Sequence, residues 1–340
     1  MTTGVKLPLE RRAFLLASAG VLAMLGARSA FAQAASPEAM ARWNAAQRIP
    51  LWQGDPPNGG FAAQPDRPDA IPNFITNVAM PELRVFRPAV SNGRSLLSIP
   101  GGAYTFVSIA NEGVDVANVM TARGYTVFVL VYRLPGEGWN GRQDVPLQDA
   151  QRAVRLIRSL PGEYGLDPDK HYALGFSAGG HLAATLATGF DEKLYDVRDS
   201  ADILSARPRG VGLIYPVISH EAGIGHAESS LRLLGETPTP DVVARRSPAL
   251  HVSGETPPVF LMHAMDDPAV PVENSFIMLR ALREAGRPVE AHLYEEGGHG
   301  FGLGAPDMPA RTWIELFANW IDRQEATAAQ TRGDDNDARP

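Results

Sequence analysis

Short runs of β-branched and other apolar residues recur along the chain from Leu83 onward, and between them apolar residues return every three or four positions. The runs predict strands near residues 83–87, 95–99, 125–131, 171–175, 210–215, 258–263 and 289–294. The longer period predicts helices near 112–123, 147–160, 179–189, 272–286 and 308–324. Strands in regular alternation with helices describe an α/β fold, a mostly parallel twisted sheet with helices on both faces. Sheets of this kind carry their sites in the loops at the carboxyl ends of the strands.

Several stretches break the alternation. Residues 33–75 are rich in proline, glycine and polar residues and read as an extended amino-terminal arm, ahead of a main domain over 76–325. Within that domain, 219–257 scatters glycine, histidine and proline around two short helical stretches near 228–234 and 240–245, which suits a small cap insertion over the cleft. Residues 326–340 include Asp334-Asp335-Asn336-Asp337 and lack apolar periodicity, so a disordered tail is expected there.

The first 32 residues follow a different logic. Lys6, Arg11 and Arg12 precede an apolar run over 13–25 that is short for a bilayer span, and Ala30-Phe31-Ala32 supplies a small-x-small cleavage pattern. The pattern is that of a removable export signal, and Arg11-Arg12 before Ala-Phe-Leu gives it a twin-arginine character. Cleavage after Ala32 removes four basic residues and one acidic residue, taking the formal charge from −7 to −10. Such an acidic surface disfavours nucleic acid and anionic membrane as partners. The chain has no cysteine, hence neither disulfides nor a lipid-attachment thiol. Periplasmic residence is the expectation.

The candidate chemistry centres on Gly175-Phe176-Ser177-Ala178-Gly179, between the apolar run 171–174 and a helical stretch. A Gly-x-Ser-x-Gly elbow holds its serine in a strained strand-to-helix turn that lifts the hydroxyl into a cleft. A serine hydroxyl needs a base to take its proton and a carboxylate to orient that base, and in this topology acid and then base follow the serine, each after a later strand. Asp267, in the turn His263-Ala264-Met265-Asp266-Asp267, is the preferred acid, with Asp266 as the alternative. His299, between two glycines after the 289–294 strand, is the candidate base, whereas His292 sits mid-strand and reads as structural.

The turn Pro100-Gly101-Gly102-Ala103-Tyr104 resembles the glycine-rich loop that supplies oxyanion donors in esterases, which by analogy nominates the backbone amides of Gly102, Ala103 and Ala178. Tyr104 and Trp139 are candidates for substrate contact, Trp139 being expected exposed near the cleft in the glycine-rich loop 135–146. Trp313 and Trp320, seven residues apart, are expected to pack on the core. No His-Glu-x-x-His pair, dinucleotide motif or phosphate loop occurs, so neither metal nor cofactor is implied.

Taken together, Leu51-Trp52, PGGAY at 100–104, VYRLP at 131–135, PLQDAQRAVRLIRS at 146–159, GFSAGGHLAA at 175–184, YPVIS at 215–219, HAMDDPAVPVENS at 263–275 and YEEGGHGFG at 294–302 resemble the bifunctional acetylxylan and feruloyl esterases among the α/β-hydrolases. The resemblance runs from about residue 51 to 320. It implies the α/β-hydrolase fold and a cofactor-free serine esterase acting on acetyl, and in some members feruloyl, groups of plant polysaccharide fragments. Ala103 departs from the group, which usually carries a third glycine there. The alternatives are a general short-chain carboxylesterase, an amidase or peptidase on the same triad, and a catalytically silent binding module on a hydrolase scaffold.

Overall fold

A computed structural model of the chain describes residues 35–65 and 71–337, with side chains described as far as residue 327. The export signal read over 1–32 lies outside the described residues. In chain order the principal elements are α1 (Pro37–Ala45), β1 (Gln47–Pro50), β2 (Phe74–Ile75), β3 (Glu82–Phe86), β4 (Ser95–Ile99), β5 (Val107–Ser108), α2 (Asp115–Ala122), β6 (Thr126–Val131), α3 (Val145–Ser159), β7 (His171–Phe176), α4 (Ser177–Thr188), β8 (Gly210–Ile214), α5 (Ala227–Leu234), α6 (Pro240–Arg245), β9 (Val259–Ala264), α7 (Glu273–Glu284), β10 (Val289–Tyr294) and α8 (Trp313–Asp337).

Among the described residues, eight strands form one sheet in the order β1-β3-β6-β4-β7-β8-β9-β10. From β6 to β10 every neighbouring pair is parallel, while β3 is antiparallel to both β6 and β1. The chain leaves β4 toward β6 and then returns to place β7 on the opposite side of β4. The crevice beyond the carboxyl ends of β4 and β7 is therefore the topological switch point, where open α/β sheets hold ligands.

Burial follows the apolar pattern. Every residue of β4, β6, β7, β8 and β9 is buried, as two-sided burial demands of interior parallel strands, whereas the edge strands β1 and β10 are mostly half-buried or exposed. Trp313 and Trp320 are fully buried, and Phe317 stacks on Trp320 between them.

Three expectations need correction. The arm read over 33–75 begins with α1, whose start is fixed by the Ser36 hydroxyl accepting from the Ala39 amide, and continues as β1 on the sheet edge. The tail expected to be disordered from Ala326 continues α8 as helix to Asp337, consistent with the good helix formers in 326–330. Trp139 is only 6% exposed, because its ring lies 4.9 Å from the guanidinium of the buried Arg133 and packs on Phe61.

Arg133 explains several of the sequence motifs at once. Its guanidinium and the Asp149 carboxylate are both fully buried and bonded at 2.8 Å, with further contacts to the Pro57 carbonyl and the Gln148 side chain. Trp52 adds its indole N–H to Asp149 at 2.8 Å. Residues 52, 133 and 149 thus form one structural hub. Breaking a buried ion pair from one side strands the other charge and costs about 3–5 kcal/mol. Asp149→Ala is accordingly expected to lower Tm by roughly 10 °C or more in a thermal melt. Asp149→Ala with an unchanged Tm would deny the hub its role.

Among the described residues, no helix is long and apolar enough to cross a membrane.

Candidate active site

Ser177 sits where β7 passes directly into α4, with φ of +52°. A non-glycine residue in that region stores about 1–3 kcal/mol of backbone strain, which the surrounding close contacts must hold in place. Gly179 supplies the closest of them. A Cβ there would lie 2.1 Å from the Ile99 carbonyl and 2.4 Å from that of Pro100, so only hydrogen lets α4 dock against the end of β4. Gly179→Ala is expected to push the two apart at a cost of about 1–3 kcal/mol or more, read as a lower Tm together with loss of any Ser177-dependent activity.

The Ser177 hydroxyl lies 2.8 Å from His299 Nε2, and His299 Nδ1 lies 2.6 Å from Asp267 Oδ2. The carboxylate fixes the tautomer: Nδ1–H donates to Asp267, which leaves Nε2 to accept from Ser177. Ser177 and His299 are 2% and 3% exposed, so water competes little for these bonds. The elbow follows β7, the candidate acid β9 and the candidate base β10, and all three lie at the carboxyl ends of their strands.

Asp267 is saturated with donors. Oδ1 accepts from the Ala269 and Val270 amides at 2.9 Å each, and Oδ2 accepts from His263 Nε2 at 3.1 Å as well as from His299. Burial pushes its carboxyl up, but hydrogen bonds from His263 and His299, the charge on His299 and the Val270 amide outweigh it, and the pKa falls well below the ordinary 3.8. Because the folded value is the lower one, this stabilisation is complete above pH 3.8 and is lost as pH falls through the depressed value. Asp266 has a separate task, its Oδ1 accepting from the Gly298 amide at 2.8 Å beside His299.

The turn nominated as the oxyanion turn is bent by Gly102 (φ +130°), Ala103 (φ +54°) and Tyr104 (φ +58°) in succession. Gly102 must lack a side chain, since a Cβ would lie 2.0 Å from the Phe106 carbonyl oxygen. Its own carbonyl accepts from the Thr105 and Phe106 amides, while the Gly101 amide is taken by the Glu112 carboxyl at 2.7 Å. Among the described residues the amides of Gly102 and Ala103 have no partner, nor does that of Ala178 in the first turn of α4, where helix amides are unpaired and carry positive potential.

Of the two substrate-contact candidates, Trp139 is not presented to the cleft, whereas Tyr104, though almost wholly buried, contributes to the lining of the cavity beside the glycine turn. Trp139 is packed over Arg133, and Tyr104 is 1% exposed with its hydroxyl 2.7 Å from His181 Nδ1. A cavity of about 380 Å³ does open beside the oxyanion turn, with Gln64, Thr76, Thr105, Glu137, Glu228 and Arg232 in its lining. The 219–257 segment also reaches this region. Glu228 approaches the Thr105 hydroxyl at 3.4 Å, and His226, whose pKa is lowered by burial and then by the charge of His299, caps α5.

Several members of the site were not nominated from the sequence. His263 braces Asp267 and in turn meets the Ser275 hydroxyl at 2.8 Å, a contact hinted at only by the spacing of the HAMDD turn. Tyr215, at the end of β8, lays its ring against that of His299 with centroids 5.0 Å apart. Glu112 lies fully buried beneath the oxyanion turn.

A family model, BD-FAE, matches residues 83–282, which hold the elbow and the acid. The chain belongs to the BD-FAE family. Its relatives include endo-1,4-beta-xylanase B of Butyrivibrio fibrisolvens, 38% identical over 225 residues that are 66% of this chain and 34% of that protein. The acetylxylan esterase of Xylanibacter ruminicola is 30% identical over 240 residues, 69% of this chain and 47% of that protein. This BD-FAE chain therefore spans about a third to a half of the length of these curated relatives. Among solved structures, the acetyl ester-xyloside bifunctional hydrolase from Caldicellulosiruptor lactoaceticus is 35% identical with a TM-score of 0.69, covering 82% of this chain and 96% of that one. The fold is that of the α/β-hydrolases.

Proposed function

We propose that the chain is a serine carboxylic ester hydrolase that removes acetyl groups from xylan-type oligosaccharides, with feruloyl groups as a second acyl class. The observation that carries the reading is the continuous relay from Ser177 through His299 to Asp267 beside three unpartnered amides at the switch point. In this reading Ser177 Oγ attacks the ester carbonyl as its proton passes to His299 Nε2. The oxyanion is met by the amides of Gly102, Ala103 and Ala178, and Asp267 stabilises the imidazolium. His299 returns the proton to the departing sugar oxygen, and a water molecule then releases the acyl group from Ser177 by the same steps in reverse.

The substrate class is supported by the acetylxylan esterase and the acetyl ester-xyloside hydrolase among the relatives, and by the hydrogen-bonding lining of the 380 Å³ cavity, which suits a hydroxyl-rich leaving group. The contacts of Glu228 and His226 support residues 219–257 as a cap over this cleft. Export to the periplasm is proposed from the signal pattern over 1–32, and cell fractionation would test it, recovery of mature protein from the cytoplasm counting against it.

A general short-chain carboxylesterase is the second reading, favoured by the burial of Trp139, one of the two side chains nominated for sugar contact, away from the cavity. Acetate release from acetylated xylo-oligosaccharides, measured beside hydrolysis of a simple ester of longer acyl chain, separates the two. Higher kcat/KM on the oligosaccharide is expected. Activity that rises with acyl length and ignores the sugar would give the second reading preference.

A further inference from the structure

Beyond the oxyanion turn the chain makes one π turn, Ala110–Val114, before entering α2. Such turns are rare and are found frequently at functional sites. The two polar side chains of this one reach two different loops. Glu112 Oε2 accepts from the Gly101 amide at 2.7 Å, and its Oε1 accepts from the Tyr215 hydroxyl at 2.9 Å. The Tyr215 oxygen in turn accepts from the Gly302 amide at 3.0 Å. Next to it, Asn111 Nδ2 donates to the Gly300 carbonyl at 3.0 Å, and the Asn111 carbonyl oxygen lies 2.8 Å from where a Cβ on residue 302 would be.

The turn is itself anchored from β4 and β5. The Ser98 hydroxyl donates to the Glu112 carbonyl at 2.7 Å, and the Ser108 hydroxyl donates to Asn111 Oδ1 at 2.8 Å. Gly101 is in close contact with Ser177, a Cβ on it lying 2.9 Å from that of the serine. Two adjacent residues therefore hold the turn that contacts the nucleophile on one side and the turn that carries His299 on the other.

Retaining a carboxyl here is expensive. Glu112 is 1% exposed, and burial pushes its pKa up to about 7 although the Gly101 amide and the Tyr215 hydroxyl both pull it down. An apolar side chain of similar size would cost the core less. What the carboxyl supplies, and an apolar group could not, is two directed acceptors, one for the Gly101 amide and one for the Tyr215 hydroxyl.

We propose that Glu112, acting with Tyr215 and Asn111, is a positioning clasp that fixes the oxyanion turn relative to His299, an inference that rests on the ester-hydrolase reading above. Glu112 touches no reacting atom, and its influence passes through Gly101 and Tyr215. A displacement of 1 Å in such a site costs on the order of 100-fold in rate, with little effect on ground-state binding.

The test uses the full chain, p-nitrophenyl acetate as substrate, and the variants Glu112→Ala, Glu112→Gln and Tyr215→Phe, with Tm recorded for each. Glu112→Ala is expected to lower kcat about 100-fold with KM within about twofold. Glu112→Gln keeps an acceptor for Gly101 and should recover most of that loss. Tyr215→Phe, which removes both the donor to Glu112 Oε1 and the acceptor for the Gly302 amide but leaves the Gly101 bond, should lower kcat about tenfold with a Tm only a few degrees lower. The clasp is overturned by a kcat unaltered in Tyr215→Phe and Glu112→Gln together with Glu112→Ala losses that appear only as a lower Tm or a raised KM. It is equally overturned if Glu112→Gln is no better than Glu112→Ala. A wild-type protein that fails to hydrolyse the ester would remove the ester-hydrolase reading itself, an outcome distinct from active enzyme indifferent to residue 112.

Discussion

Ser177→Ala is expected to reduce ester hydrolysis by about 10⁶-fold in kcat while leaving Tm within a few degrees of the parent. The size follows from the relay being a unit: without Oγ, His299 has no proton to take, and only the oxyanion donors and binding energy remain. The small change in stability follows from the loss of one hydrogen bond, to His299 Nε2 at 2.8 Å, and from the backbone strain at residue 177, which alanine shares. Steady-state kinetics at high enzyme concentration, beside a thermal melt, measure both. Substantial residual activity in highly purified Ser177→Ala would assign the nucleophile elsewhere.

Asp267→Asn should come next in magnitude, at about 10⁴-fold in kcat, because all four lone-pair directions of this carboxylate already receive donors. An amide must place its N–H₂ either against the Ala269 and Val270 amides or against the two imidazoles. In the second arrangement His299 is driven to the tautomer whose Nε2 carries the proton, and it can no longer accept from Ser177. Asp266→Asn keeps a carbonyl oxygen for the Gly298 amide and should cost no more than about tenfold. Equal losses in the two variants, or a larger one at 266, would reverse the assignment of the acid.

The parallel strands were legible because interior strands buried on both faces are nearly continuous apolar runs, as in Thr126–Val131 and Val259–Ala264. The order of Ser177, Asp267 and His299 was legible for a related reason, since the first two follow such strands, His299 follows the edge strand β10, and each turns on glycine or proline. Less visible were elements whose signals are short. Helix α1 does carry one, Ser36-Pro37 as cap and first turn, but nine residues of helix and a four-residue exposed edge strand were masked by the proline-rich stretch that follows them. Trp139 was misplaced because its surroundings read as a solvent loop, and only the three-dimensional path of Arg133 reveals that the indole covers a buried guanidinium. Glu112 lies in no motif, and YPVIS, which begins at Tyr215, does not reveal what the Tyr215 hydroxyl touches. Their meaning lies in hydrogen bonds between residues far apart in sequence, Glu112 with Tyr215 and Tyr215 with Gly302, which periodicity cannot encode.

The measurement closest to the centre of this account is the capture of a covalent intermediate. Mature protein would be mixed with acetylated xylo-oligosaccharide, quenched in acid during turnover and digested for peptide mass mapping. An acetyl group on the peptide that contains Ser177, absent from Ser177→Ala and removed when turnover is allowed to finish, is the result predicted. Acetate release with no acyl adduct on Ser177, or with an adduct on another residue, would contradict the assignment of Ser177 as the nucleophile.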